Sequence, residues 1–119
     1  FDRAKALFDL FGAHEETLMA PVLDLLTARD GVTLVGAPSA DHSVRAPTIA
    51  FHTSKRSSGS VYDALIAAHI SCGHGNFYAQ RLLEALGLDI DDGVVRLSAV
   101  HYNTAEEMAR ACQVLDEML

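Results

Sequence analysis

The sequence predicts an α+β domain in which a small, mainly antiparallel sheet packs against helices. Three features favour this fold. Apolar residues recur at helical spacing over the first part of the chain, short runs of Val, Thr and Ile alternate with polar loops, and an apolar strand near the end leads into an amphipathic helix. The 119 residues, 50% of them hydrophobic, are enough for one core, so we expect residues 1–119 to form a single domain.

The first helix is expected to run from about Asp2 to Ala28. Its larger apolar residues fall near one face: Leu7, Phe11, Leu18, Val22 and Leu25. Pro21 interrupts this segment, and a proline inside a helix removes a backbone hydrogen bond and costs about 3 kcal/mol. We therefore expect either a kink near Ala20 or two abutting helices.

Two short strands are expected next, from Val32 to Val35 and from Pro47 to Phe51, because both runs are rich in Val, Thr and Ile. A loop from Gly36 to Val44, with proline, serine and aspartate, separates them. We expect the two strands to pair antiparallel.

A second polar loop, Lys55 to Gly59, leads into another helix. Ser60 and Asp63 carry side-chain oxygens that accept hydrogen bonds from the free amides of a helix start, so we expect them to cap it. The helix should end near His69. Its apolar residues include Val61, Leu65 and Ala68.

The next part of the chain predicts a short strand from Ile70 to His74, which Gly73 and Gly75 break. A further helix is expected from about Phe77 to Leu86. Gly87 follows it and can take the left-handed conformation that ends many helices.

The final strand, from Val94 to Val100, follows an acidic turn and contains a single arginine. Period-two alternation places Arg96 and Ser98 on one face, with Val95, Leu97 and Ala99 on the other. A guanidinium keeps its charge and fits a carboxylate or phosphate bidentately, so Arg96 requires an anionic partner. That partner is either an Asp or Glu on a neighbouring element or a ligand, and the residues alone leave both open.

A capping box starts the last helix, since Thr104 and Glu107 can each accept a hydrogen bond from the other's main-chain amide. The apolar positions of this helix are Met108, Ala111, Cys112, Leu115 and Met118. Asn103 and Ser98 are expected to be structural, because they lie where the strand ends and turns.

Composition excludes several classes of function. A formal charge of −7 argues against nucleic acid or an acidic membrane as a partner, because both require a basic surface. No apolar run is long enough to span a bilayer, and the first residues do not form a signal peptide. Two cysteines are too few for a disulfide framework, so a reducing cytoplasm is the expected location.

Other reactive side chains give weaker patterns. His101 and Tyr102 are capable of acid–base chemistry, but a single histidine at a strand end is more often structural, so neither is assigned a catalytic role. Cys72, His74 and His101 lack the second ligand pair of a structural zinc site, so no metal ligand is assigned. Cys72 is either an ordinary strand cysteine, the more frequent case, or a nucleophile activated by a nearby imidazolium.

The strand and turn around Arg96 carry a resemblance to a known family. The Arg-x-Ser strand, the Tyr102-Asn103-Thr104 turn and the Glu-rich helix resemble the C-terminal end of class V aminotransferases and cysteine desulfurases. The segment from Gly75 to Gly87 looks like the loop and helix that precede that strand, closest to the cysteine desulfurase-like branch. The resemblance covers nearly the whole chain.

The resemblance implies that the chain is the small C-terminal domain of a fold-type I pyridoxal-phosphate enzyme. The arginine that matches Arg96 binds the α-carboxylate of the amino-acid substrate in that family. The cofactor lysine belongs to a large domain that would precede Phe1, so we expect a fragment that binds no cofactor and is inactive alone. The full-length enzyme is expected to be a homodimer with transferase or lyase activity; its substrate and reaction type stay open.

The chain departs from the desulfurase pattern at one loop. Cysteine desulfurases have Gly-His-His-Cys-Ala-Gln there, and this chain has Tyr78 immediately before Ala79 and Gln80. The sulfur-accepting cysteine is missing at that place, which argues against desulfurase chemistry. A second arginine of the family is replaced by Gly73 or His74.

Two alternatives to the enzyme hypothesis are compatible with this fold class. A free-standing α+β module would bind a small molecule or a partner through Arg96 without catalysis. A purely structural protein would pair Arg96 with an internal carboxylate and leave no open pocket.

Overall fold

A computed structural model describes residues 1–119 as four helices and four strands. In chain order they are α1 (Asp2–Ala28), β1 (Val32–Val35), β2 (Thr48–Thr53), α2 (Ser58–Ala67), β3 (Gly73–Gly75), α3 (Gln80–Ala85), β4 (Val94–Ser98) and α4 (Ala105–Met118). The strands form one sheet in the order β1-β2-β4-β3, with every neighbouring pair antiparallel. The predicted α+β class and the antiparallel pairing of the first two strands are confirmed.

Strands β2 and β4 form the centre of the sheet, and their register fixes which residues share a face. Arg96 of β4 lies opposite Ala50 of β2 on one side and opposite Gly73 of β3 on the other. The neighbouring pairs place Phe51 opposite Val95. The predicted alternation is confirmed, because Val95 is buried whereas Arg96 is exposed.

The core lies between one face of this sheet and helices α1, α2 and α4. Strand β2 alternates regularly, with every second residue buried. The buried cluster includes Leu26, Ile49, Phe51, Val61, Leu65, Val95 and Leu115, each 0% exposed. The residues of the opposite face, among them Ala50, His52 and Arg96, are partly or fully exposed.

Helix α1 runs without interruption past Pro21, so the prediction of two abutting helices is wrong. Leu18, Met19, Val22 and Leu23 flank the proline and are 2–3% exposed against the core. Burying such side chains stabilises the fold by roughly 1.5–3 kcal/mol each, which outweighs the roughly 3 kcal/mol cost of a helical proline. A kink near Ala20 stays a prediction.

The start of α2 differs from the expected caps. The helix begins at Ser58, and the Ser57 hydroxyl accepts a hydrogen bond from the Ser60 amide at 3.1 Å. Ser60 and Asp63 therefore lie inside the helix, three and six residues beyond the true cap. The helix ends at Ala67, and His69 adopts a left-handed φ of 60° just after it.

The glycines expected to break the third strand instead form it, since β3 consists of Gly73–Gly75. Helix α3 begins three residues later than predicted because Phe77 and Tyr78 have left-handed φ angles of 49° and 62°, which no right-handed helix accommodates. Gly87 ends α3 with φ 71°, as predicted.

The last two elements follow the sequence prediction closely. Strand β4 ends at Ser98, two residues before the expected end. The Thr104 hydroxyl accepts from the Glu107 amide at 3.2 Å and the Glu107 carboxylate accepts from the Thr104 amide at 2.8 Å, which confirms the capping box. None of the helices combines the length and the apolar character needed to cross a membrane.

Candidate functional site

Arg96 lies on the exposed face of the sheet, in the middle of β4. None of the ion pairs within the chain involves it, so the internal carboxylate expected for a purely structural arginine is not present. Its guanidinium carbon lies 4.1 Å from the centre of the Phe77 ring instead. A planar cation whose N–H groups have no protein carboxylate is free to bind an anion from outside the chain.

The loop from Asn76 to Ala79 carries Phe77 to this position. The Asn76 side chain accepts a hydrogen bond from the Tyr78 amide at 3.0 Å, and the Asn76 carbonyl accepts one from the Ala79 amide at 2.8 Å. These bonds hold two consecutive left-handed residues in place. Tyr78 is fully exposed.

Asp92 anchors the part of the sheet next to this loop. Its carboxylate accepts hydrogen bonds from the amides of Ser58 at 2.7 Å and Gly59 at 3.2 Å, and its carbonyl accepts one from the His74 ring at 2.7 Å. Burial alone raises the pKa of Asp92, but the two amides, the Ser58 hydroxyl and the nearby imidazole outweigh it and hold the pKa below its ordinary value. Asp92 therefore joins α2, β3 and the start of β4.

The turn after β4 is held by the residues expected to be structural. The Asn103 side chain accepts a hydrogen bond from the Val100 amide at 2.8 Å and donates one to the Glu107 carboxylate at 3.0 Å. The Ser98 and Thr48 hydroxyls lie 3.0 Å apart across the strands. These contacts fit the structural roles predicted for Ser98 and Asn103.

The histidines and cysteines that the sequence singled out are dispersed. His101 stacks on Phe11 with ring centres 4.0 Å apart, and the edge of Tyr102 packs against it. The structure does not bring Cys72, His74 and His101 together into a group that could hold a metal. Burial raises the pKa of the Cys72 thiol, which is the reverse of the shift that activates a nucleophile.

The structure contains one polar cluster and one cavity that the sequence does not predict. The His42 ring lies 2.8 Å from the Glu16 carboxylate, and the hydrogen bond between them raises the pKa of His42 and lowers that of Glu16.

A cavity of about 290 Å³ opens between α1, α4 and the loop before β3. Its lining includes Met19, His69, Leu97, Asn103, Glu107 and Arg110. The residues of the cluster and of the cavity come from distant parts of the chain, so no local sequence pattern predicts either feature.

Comparison with known proteins identifies the family. Residues 4–110 match the family model described as aminotransferase class-V, so the chain belongs to the class V aminotransferase family. Among individual relatives, it is 38% identical over 120 residues to the aminotransferase-like protein FGM3 of Gibberella zeae, covering 99% of this chain and 30% of that protein. It is 32% identical over 115 residues to the cysteine desulfurase-like protein ustD of Aspergillus flavus, covering 94% and 26% of the two chains.

Solved structures agree in fold. A cysteine desulfurase from Thermococcus onnurineus superposes with a TM-score of 0.78 at 22% identity, over 91% of this chain and 26% of that one. The Escherichia coli cysteine desulfurase CsdA gives a TM-score of 0.69 at 23% identity, over 88% and 24%. The chain spans less than a third of the length of each of these four proteins.

The lysines of the chain do not fit a pyridoxal-phosphate site. Such a site requires a lysine for the Schiff base. Lys5 is exposed near the start of α1 and forms an ion pair with Asp9, whereas the Lys55 ammonium donates to the Leu119 carbonyl at 2.7 Å. Neither contacts the Arg96 region, so the cofactor of this family has no Schiff-base partner among these residues.

Proposed function

We propose that this chain is the small C-terminal domain of a pyridoxal-phosphate enzyme of the cysteine desulfurase-like branch, which acts on an amino acid. In this proposal Arg96 binds the α-carboxylate of the substrate, and the domain closes the cleft over it. The observation that carries the proposal is the position of Arg96, on an exposed sheet face without any carboxylate from its own chain.

The chemistry of the arginine supports a carboxylate ligand. A bidentate pair between guanidinium and carboxylate fixes both the distance and the plane of the bound group, and a hydrogen bond to a charged group contributes roughly 1.5–3 kcal/mol. Holding the carboxylate in this way orients the rest of a small substrate, which is how a positioning residue accelerates a reaction. The exposed face gives a ligand access to Arg96.

The cofactor lysine belongs, in this proposal, to a large domain of the same protein. Class V aminotransferases use pyridoxal phosphate, which acts as an electron sink for reactions at the amino-acid α-carbon. The lengths of FGM3 and ustD leave room for such a domain, since this chain covers only 30% and 26% of them. We further propose a homodimeric, cytoplasmic protein with transferase or lyase activity.

Tyr78 bears on the type of reaction. Desulfuration requires a thiol that accepts sulfur from the substrate, and a phenol does not take that role. The Cys72 thiol is a poor substitute because burial raises its pKa. We therefore place transamination or elimination ahead of desulfuration for this chain.

The cavity between α1 and α4 favours a second candidate, a module that binds a small molecule without catalysis. Its volume of about 290 Å³ is close to the lower end of ligand pockets, and half of its lining residues are hydrophobic. Arg96 does not line it, so the two candidate sites are distinct.

The first test separates these two candidates. The natural protein that contains this chain is purified, its intact mass is measured, and its absorption spectrum is recorded during titration with each of the twenty standard L-amino acids. The enzyme proposal predicts a chain several times longer, a pyridoxal-phosphate band, and at least one amino acid that perturbs the band. A natural chain of this length without a band, or a band that no amino acid perturbs, contradicts it.

A further inference from the structure

We propose that Phe77 is a positioning residue that holds the Arg96 guanidinium ready for a carboxylate, and that Gly73 makes room for it. This inference rests on the proposed function, because it assigns a role at the same site. It goes further in naming two residues, outside any direct substrate contact, that set how well Arg96 binds.

The Arg96 side chain rests against an aromatic ring, that of Phe77. The Arg96 guanidinium carbon lies 4.1 Å from the centre of the Phe77 ring, within the range of a cation–π contact. Gly73 lies directly across the β3–β4 pair from Arg96. A Cβ at Gly73 would lie 3.0 Å from Cζ of the Phe77 ring and 3.1 Å from Cε1. A Cβ at residue 73 would therefore require the ring to shift by a few tenths of an ångström from its place beside the guanidinium.

The backbone around Phe77 is arranged to hold the ring there. Phe77 and Tyr78 both have left-handed φ angles, a conformation that non-glycine residues rarely adopt. Hydrogen bonds from the Tyr78 and Ala79 amides to Asn76 maintain it. A third Asn76 contact, in which the side-chain amide donates to the Ile90 carbonyl at 3.4 Å, connects the loop to the turn before β4.

A phenyl ring suits this role better than a carboxylate would. The ring attracts the cation through its face, whereas the N–H donors of a guanidinium point outward in its plane. The donors therefore stay free for a bidentate carboxylate while the long arginine side chain loses much of its freedom. A protein carboxylate at the same place would occupy the donors and compete with the substrate.

The test measures binding in the full-length protein. Two probes are used: the standard amino acid that perturbs the cofactor band at the lowest concentration, and its carboxamide, which lacks the negative charge. Phe77→Leu should weaken binding of the amino acid by about 3- to 30-fold and leave binding of the carboxamide unchanged. Phe77→Tyr retains the aromatic face and should bind like the wild type. Phe8→Leu makes the same chemical change at an exposed phenylalanine on α1 and is the control.

A double-mutant cycle decides whether Phe77 acts through Arg96. In an Arg96→Gln background, which removes the cation that the ring attracts, Phe77→Leu should cause little further loss of amino-acid binding. If Phe77→Leu weakens amino-acid binding equally in both backgrounds, or weakens carboxamide binding as much as amino-acid binding, the inference is wrong. If Phe77→Leu does not fold, Gly73→Ala gives a second test, since its Cβ requires the ring to shift by a few tenths of an ångström and should weaken amino-acid binding in the same direction but by less.

The outcomes also separate this inference from the proposed function. If Arg96→Lys weakens the amino acid but Phe77→Leu and Gly73→Ala do not, the inference fails and the proposed function stands. If Arg96→Lys has no effect on the amino acid, the carboxylate site itself is wrong and both fail.

Discussion

Gly93 lies against the main chain of Gly75 so closely that a Cβ on Gly93 would be 2.2 Å from the Gly75 carbonyl carbon. Gly93 also has a left-handed φ of 62°. Its position just before β4, beside the last residue of β3, allows the turn to return the chain into the sheet next to Arg96. The placement of the candidate site therefore depends on the absence of a side chain here.

Gly93→Ala should destabilise the protein strongly, by about 3 kcal/mol or more, because the backbone of Gly75 cannot move aside and φ is unfavourable. Gly87→Ala is the matched control. Gly87 has a comparable φ of 71°, but an added Cβ there would meet open space, so Gly87→Ala should lower the free energy of unfolding by only about 1 kcal/mol. Urea denaturation of both variants measures the difference, and equal losses would contradict the close contact.

Asp92→Asn should reduce stability at neutral pH by about 0.5–2 kcal/mol, because the carboxylate accepts two amides at the start of α2. The pKa of Asp92 is lower in the folded state than its ordinary value. Its stabilisation is therefore fully present above the ordinary pKa of about 4 and is lost as pH falls through the folded value.

Denaturation of the wild type and Asp92→Asn as a function of pH checks this sign. The difference between them should be constant near neutrality and should shrink below about pH 4. A difference that grows on acidification would show that the pKa of Asp92 is raised instead.

Thr104→Ala should lower the free energy of unfolding by about 1 kcal/mol, because it removes the hydroxyl that accepts a hydrogen bond from the Glu107 amide in the capping box. Thr104→Ser keeps the hydroxyl and is the control. Circular dichroism during urea denaturation reports the loss. If Thr104→Ala and Thr104→Ser were equally stable, the hydroxyl would not be stabilising α4.

Local patterns predicted the parts of the fold that depend on local chemistry. The alternation of β4 and the capping box of α4 are read directly from neighbouring residues, and both are confirmed. The predicted extent of α1 is confirmed, and of the two alternatives at Pro21 only that of two abutting helices is wrong. The side chains that flank Pro21 are buried in a core to which α4, far along the chain, contributes, and the helix sequence alone does not reveal that stabilisation.

Two of the errors fall in the loop beside the candidate site. The sequence predicts that Gly73 breaks the strand, yet Gly73 is a strand residue whose missing side chain leaves room for the Phe77 ring. The sequence places Phe77 in a helix, yet its φ is left-handed. Both depend on contacts between β3, β4 and the loop. The position of Arg96 followed from alternation, whereas its aromatic neighbour could not be deduced from spacing.

The most direct test of the central claim compares the wild type with Arg96→Lys in the full-length protein. The dissociation constants of the tightest-binding amino acid and of its carboxamide are measured through the cofactor band. Lysine keeps the charge but loses the bidentate fork, so the amino acid should bind about 10- to 100-fold more weakly and the carboxamide equally well. An unchanged affinity for the amino acid would contradict the assignment of Arg96 as the carboxylate site.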